Sequence, residues 1–386
     1  MELKKYKLGE IGEIRMCKRI LKSETNPYFG IPFYKIGTFG KIADAFIDPL
    51  LYKHYKKSYS FPRKGDVLIS AAGTIGKSVI YNGEDAYFQD SNIVWIEHDQ
   101  SIVLNEFLYY LLNSIQWIPS KGSTIFRLYN DDIRNKEVFL PSIKEQRGIV
   151  SVLSSIDRKI ELNRTINQNL EAMAKLLYDY WFVQFDFPNE EGKPYKSSGG
   201  KMVWNEKIKR EIPIGWDNCT LKDFLTIKNG RDHKYLSEGL YPVYGSGGEM
   251  RRVNEYLYKG ESVLMPRKGT LNNIMYVDES FWTVDTMFYS EMKVLHCAKY
   301  IFFAIKDIDF TRWDSGTGVP SMTASTLYNL SMIKPNIDLL KRFDKAITPI
   351  FYKMKQIRVE YEVLTKQRDE LLPLLMNGQV SIPNCD

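Results

Sequence analysis

The stretch most suggestive of phosphate chemistry is Ala71-Ala72-Gly73-Thr74-Ile75-Gly76-Lys77-Ser78, after a strand-like Val67-Leu68-Ile69. It fits a relaxed phosphate-loop pattern, with alanine in place of the first glycine. A true phosphate loop opens a helix whose N-terminal N–H groups face the anion. Here Val79-Ile80-Tyr81 reads on as strand, so a tight turn using glycine at positive φ is favoured. His54, His98, His233 and His296 show no metal-ligand spacing. Cys17, Cys219, Cys297 and Cys385 form no C-x-x-C pair, which argues against a disulfide framework and a paired-cysteine zinc site. No catalytic residue and no metal ligand is assigned.

Asn26-Pro27-Tyr28-Phe29 looks like the Asn-Pro-Pro-aromatic motif of amino-methyltransferases. It lacks the second proline, and no glycine-rich cofactor loop precedes it. It reads as a turn, so any methylation chemistry must come from a partner. Basic residues mixed with polar and aromatic ones suggest nucleic-acid contact. In the first half these are Lys53, His54, Tyr55, Lys56, Lys57, Arg63 and Lys64, with Lys77, Ser78 and Arg127. In the second they are Arg231, His233, Lys234, Arg251, Arg252, Arg267, Lys268 and Arg312. Lysines would mainly meet phosphates, and arginines the base edges. For each residue singly, a solvated surface role is the plainer reading.

The chain has 386 residues, which suggests two to three domains at about 150 residues each. Its 44% hydrophobic and 26% charged residues are ordinary for a globular chain and exclude disordered and collagenous classes. Fifty-three basic residues against 47 acidic ones give a mild net charge of +6. No apolar run approaches the roughly 18 residues that span a bilayer. No apolar run follows Met1-Glu2-Leu3-Lys4-Lys5-Tyr6-Lys7, so no signal peptide and a reducing, cytoplasmic setting are expected.

The elements that position these residues occur twice. Gly73-Thr74 recurs as Gly269-Thr270, and Gln89-Asp90-Ser91-Asn92 is matched by Val284-Asp285-Thr286-Met287. Lys121-Gly122-Ser123-Thr124 is matched by Ser315-Gly316-Thr317-Gly318, and Leu140-Pro141 by Lys334-Pro335. The displacement stays within 194–196 residues, which marks a duplicated domain rather than a solenoid. Each copy begins with short β-like segments and ends in a heptad run. The first seam is Ile149, Leu153, Ile156, Ile160, Asn163, Asn167, Leu170, Ala174 and Leu177. The second is Phe343, Ile347, Ile350, Met354, Ile357, Tyr361, Leu364, Arg368, Leu371 and Leu375. Asn163 and Asn167 on the seam would set helix register or sit in a water pocket. Pro349 predicts a short entry helix, with the long helix starting at or just after it. Pro373 and Gly378 mark the far end. Between the copies, 189–203 has the composition of a linker.

Two helices of this kind predict an antiparallel pair on the order of 50 Å long at about 1.5 Å per residue. That is somewhat more than the roughly 34–36 Å of one DNA turn. Specific stretches lie in and after the helices. Lys144-Glu145-Gln146-Arg147-Gly148-Ile149-Val150 leads into Ser154-Ser155-Ile156-Asp157-Arg158-Lys159-Ile160-Glu161-Leu162-Asn163 and closes on Trp181-Phe182-Val183-Gln184-Phe185-Asp186-Phe187-Pro188. Ile212-Pro213-Ile214-Gly215-Trp216 follows, and the end reads Leu374-Leu375-Met376-Asn377-Gly378-Gln379-Val380. In this order they resemble the specificity subunits of type I restriction–modification enzymes, over essentially the whole chain.

The resemblance implies an α+β architecture. Two β-rich target recognition domains, 1–141 and 204–335, are separated by an antiparallel two-helix coiled coil of 142–188 and 336–380, with an internal pseudo-two-fold. It implies a non-catalytic chain that reads a bipartite double-stranded DNA sequence. Two methyltransferase subunits and a motor–nuclease subunit would dock on it and would hold S-adenosylmethionine, ATP and magnesium. Trp181, Phe182 and Phe185 would belong to that interface or, equally, to a helix-end core. The competing readings are a phosphate-loop protein built on 71–78 and a coiled-coil scaffold with no sequence preference.

Overall fold

The computed structural model describes residues 2–118, 127–313, 320–380 and 382. The expected matches at 121–124 and 315–318, and Cys385, lie outside the described residues. The chain forms two compact units, Met1–Arg164 with Val359–Asp386, and Thr165–Arg358. We call them the first and second unit.

Each unit holds a β-rich region, and the two regions share one hydrogen-bonding scheme. In the first, Lys4–Lys7 pairs with Glu137–Leu140, Glu13–Met16 with Ile93–Glu97, and Val67–Ser70 with both Ser78–Ile80 and Ile93–Glu97. In the second, Asp217–Thr220 pairs with Ser331–Lys334, Leu225–Asn229 with Met287–Met292, and Tyr258–Pro266 with both Met275–Thr283 and Met287–Met292. Registers agree residue by residue. Lys4 faces Leu140 as Asp217 faces Lys334, Met16 faces Val94 as Asn229 faces Phe288, and Val67 faces Ile80 as Val263 faces Tyr276. A parallel pair also recurs, Phe33 with Tyr87 and Val243 with Trp282. A one-residue slip would turn every inward side chain outward, so this agreement is strong structural evidence of duplication.

The displacement between copies is 213 residues at Met16 and Asn229 but 196 at Val67 and Val263, so the first unit carries 17 additional residues there. Most of them form the helix Pro49–Ser58. The second unit passes directly from Gly248–Val253 to Tyr258–Pro266 with no helix between.

The long helices are Ile143–Tyr178 and Ile337–Met376. Ser142 and Glu145 start the first with a reciprocal capping box: the Ser142 N–H and hydroxyl donate to Glu145 Oε2, and the Glu145 N–H donates to Ser142 Oγ. Within the first unit the two helices run antiparallel, since Asp157 meets Arg368 at 3.2 Å while Arg164 meets Tyr361 at 2.8 Å. Within the second, Tyr178 and Phe182 pack on Phe343, and Ala174 joins Ile347 and Ile350 in one core. Every expected seam position is buried or half-buried.

The expected break at Pro349 is not there; the second helix is continuous through it and through Pro373. Pro349 removes the hydrogen bond to the Lys345 carbonyl, but both residues are exposed, so water can satisfy that oxygen. Gly378 does close the helix at φ 71°, with Gln379 N–H on the Leu374 carbonyl at 2.9 Å. The stretch expected as a linker is tied down in the second unit. Ser197 donates twice to Asp186, Phe187 stacks on Tyr195 at 4.6 Å, and Met202–Asn205 pairs with Arg210–Pro213.

Candidate nucleic-acid interface

A tight turn ends the central strand in each unit, and its hydrogen bonds are also duplicated. In the second unit the Arg267 N–H donates to the Thr286 carbonyl (2.9 Å), the Met322 N–H donates to the Arg267 carbonyl (2.8 Å), and Lys268 bridges Ser321. In the first, the Ala71 N–H donates to the Asn92 carbonyl (2.8 Å), the Leu128 N–H donates to the Ala71 carbonyl (2.8 Å), and Ala72 bridges Arg127. Gly73 and Gly269 take φ of 71° and 89°, open to glycine without strain. No helix follows 71–78; the strand Ser78–Ile80 does. The Lys77 ammonium donates to the Phe39 carbonyl at 2.8 Å, and the Ser78 hydroxyl is buried on the Gly76 carbonyl. The phosphate-loop reading therefore fails, and neither side chain is presented to a ligand.

In the second unit the structure gathers four of the expected contacts. The Gly230 N–H donates to the Met287 carbonyl and the Arg231 N–H to Thr283, so the loop bearing Arg231 and Lys234 hangs on the segment that also holds the Arg267 turn. Arg231, Lys234, Arg267 and Lys268 are all exposed. A cleft of about 310 Å³ opens beside Arg267 and Lys268, lined also by Asn229, Phe288 and Ser321 through Ala324. Arg267 and Lys268 on a mainly apolar cleft wall set cations for a phosphate backbone beside a surface that a base edge can meet. The other candidates are held locally. Arg251 donates to the Leu236 carbonyl, Arg252 to Glu249, and Arg312 to Asp309. Hydrogen bonds from Thr311, then Asn272, depress the Asp309 carboxyl to about 2. His233 is half-buried.

In the first unit the helix Pro49–Ser58 presents Lys53, His54 and Lys57 to solvent. Its start is built by Pro49 and by the Asp48 carboxylate, which accepts from the N–H groups of Leu50 and Leu51. Tyr55 is half-buried against Tyr59. Lys56 donates to the Tyr52 phenol (2.6 Å) and to Asp85 (3.3 Å). Burial, then the Asp85 contact, pushes the Tyr52 phenol well up. Lys64 is exposed, Arg63 reaches Glu97 only at 3.7 Å, and Arg127 donates to the Ser91 carbonyl. Sequence reasoning missed Lys18 and Arg19, which stand where the second unit has Arg231 and Asp232. Their signal was the 213-residue displacement, hidden by the insertion.

Trp181, Phe182 and Phe185 are not an exposed interface; all three lie in the second unit's own core. The exposed apolar residues nearby are Met173, Leu176, Tyr180 and Val183, spaced three and four apart along the helix end. Among the described residues no helix is long and apolar enough to cross a membrane.

Comparison with known proteins agrees with this geometry. The family model for the type I restriction modification DNA specificity domain matches residues 1–172 and 213–356, one match for each copy. A provisionally named type I restriction enzyme specificity subunit of Haemophilus influenzae is 53% identical over 181 residues, 46% of each chain. A type I restriction enzyme specificity subunit of Methanocaldococcus jannaschii is 27% identical over 357 residues, 83% of this chain and 79% of that one. The crystal structure of a type I restriction–modification S subunit from M. genitalium superposes with a TM-score of 0.66 at 18% identity, covering 97% of this chain and 96% of that one, and so shares the fold. With both β-rich copies matched, this chain belongs to the type I restriction–modification DNA specificity family.

Proposed function

We propose that the chain reads a split double-stranded DNA sequence, one half with each β-rich region, and has no catalytic centre of its own. The observation that carries this is the duplicated turn, hung on an identical ladder in each unit, with the exposed Arg267 and Lys268 at the second. The long antiparallel helices act as a coiled-coil spacer that sets the gap between the half-sequences. Methyltransferase subunits, two per chain, dock on apolar helix surface of the kind formed by Met173, Leu176, Tyr180 and Val183. A motor–nuclease subunit joins for cleavage, and S-adenosylmethionine, ATP and magnesium belong to those partners in the cytoplasm. The test is methylome sequencing of the source cells with and without this gene. Loss of a split, doubly methylated motif on deletion is expected; a split motif that persists unchanged overturns the proposal.

A further inference from the structure

The second motif of the sequence, Asn26-Pro27-Tyr28-Phe29, remains without a role. It forms a turn at the end of a strand. Thr25 and Asn26 pair with one side of Phe46–Ile47 and Ile31 and Pro32 with the other, so Pro27 to Gly30 cross over the end of that strand. The Asn26 side chain accepts from the N–H groups of Tyr28 (3.0 Å) and Phe29 (2.9 Å), which braces the turn from inside. Gly30, at φ 118°, closes it where a Cβ would meet the Ile47 carbonyl at 2.3 Å. The turn therefore holds two large rings in water, Tyr28 85% and Phe29 71% exposed.

The second unit breaks its ladder at the matching register, with a bulge in place of the crossing. Glu238 and Tyr241 both pair with Val253, so Gly239 and Leu240 bulge out, and Leu240 is 81% exposed. An apolar tip thus leaves both copies at one point of the ladder, although the tip residues differ in number and type. A stray exposed side chain has no reason to recur in this way. Each tip lies at one end of a strand whose other end approaches the duplicated central turn. Gly73 lies beside Ile36, just past Ile31–Tyr34, and Gly269 beside Ser246, just past Glu238–Gly245. The six residues from Leu240 to Ser246 span roughly 20 Å at about 3.3 Å each. That is close to half of a DNA turn of about 34–36 Å, the step from one groove to the next.

We propose that the tips are wedges: Tyr28 with Phe29, and Leu240, enter the minor groove beside each half-site and unstack a single base step. Proteins that unstack duplex DNA from the minor groove do so with bare apolar side chains of this kind, and the exchange is favourable when the bend brings more basic surface onto phosphate. Lys53 and Lys57 on the helix that begins beside the first tip, and Arg231 and Lys234 ahead of the second, supply that surface. The inference rests on the proposed DNA-reading function.

The experiment uses the full chain and its cognate duplex, with 2-aminopurine placed in turn at each step flanking the two half-sites. A several-fold fluorescence rise at one step per half-site is expected. Tyr28→Ala with Phe29→Ala abolishes the rise at one half only and weakens binding about tenfold, while Leu240→Ala abolishes it at the other. Phe29→Leu retains most of it. Tight sequence-specific binding with no rise at any step overturns the wedges and leaves the DNA-reading function standing. Absence of sequence-specific binding in the wild type removes both. Tip variants that keep the rise and lose a methyltransferase subunit instead overturn the wedges in favour of a protein contact.

Discussion

The two units share a backbone and differ in what is attached to it. Their ladders agree in register from the first strand pair to the last, and both use the same carbonyls to hold the central turn. Yet the first unit carries an inserted basic helix where the second has a short connection. Each also ties its β-rich region to the long helices in its own way. In the first, the Tyr110 phenol donates to Asp157, which Arg368 also reaches. In the second, the buried Lys299 ammonium is gripped by Glu261 (2.6 Å) and Asp344 (2.7 Å), with His296 on the other oxygen of Asp344. Register is set by many cooperative pairings, whereas an insertion at a sheet edge or a single polar tie can vary without disturbing them.

The largest effect expected from breaking this comparison is a change of target. Exchanging residues 1–140 for the corresponding segment of another family member should replace one half of the methylated motif and leave the other half and the gap intact. Methylome sequencing reads all three; an unchanged motif supports a scaffold without sequence preference.

The polar ties should differ next. Lys299→Met leaves two carboxylates facing a half-buried site without their cation and should destabilise the second unit by about 3 kcal/mol. Tyr110→Phe removes one hydrogen bond from an Asp157 that keeps Arg368, so about 1 kcal/mol is expected. Urea unfolding compares the two, and equal losses would erase the distinction.

Presented and hooked cations should then separate in a salt titration. Arg267→Ala with Lys268→Ala should weaken binding about tenfold and lower the salt slope by about one for every phosphate no longer neutralised. Lys77→Ala should leave the slope unchanged, since that ammonium already serves the Phe39 carbonyl. A Lys77 effect as large as that of the Arg267–Lys268 pair would show that the turn is read from the opposite side.

A smaller effect concerns acid. Burial alone would raise the Asp344 carboxyl, but the hydrogen bonds from Lys299 and His296 outweigh it and hold it below its ordinary value. Its contribution is therefore complete above the unfolded-state value of about 4 and is lost as pH falls through the lower folded-state value. Stability of wild type should drop more between pH 5 and pH 2 than that of Asp344→Asn, and parallel curves would refute this. The smallest effect expected is at the seam. Asn163 is buried with its Nδ2 unpartnered, so Asn163→Leu should raise first-unit stability by about 1 kcal/mol in the same urea assay.

Much of this was legible in residue order. The positions named from the heptad steps are all buried or half-buried, because a 3.5-residue repeat is a local pattern that marks one helix face. Gly73, Gly269 and Gly378 announced positive φ, because few other residues tolerate it. The repeat could be followed only from Gly73 onward, because 17 residues inserted upstream shift the earlier strands out of step. Pro349 misled because proline's penalty depends on whether the freed carbonyl meets water, which composition does not record. Trp181, Phe182 and Phe185 stayed open between a core and an interface because aromatic side chains suit both equally.

The sequence by itself determined the duplication, the long helices and the turns, since each is written in spacing along the chain. Only the tertiary structure decided which cations face outward. Lys53, Lys57, Arg267 and Lys268 do; Lys56, Lys77, Arg251 and Arg127 are drawn onto oxygens up to about 40 residues distant in sequence. A charged side chain bonds to whatever acceptor the fold brings within reach, and that acceptor is set by strand pairing rather than by its neighbours in the chain.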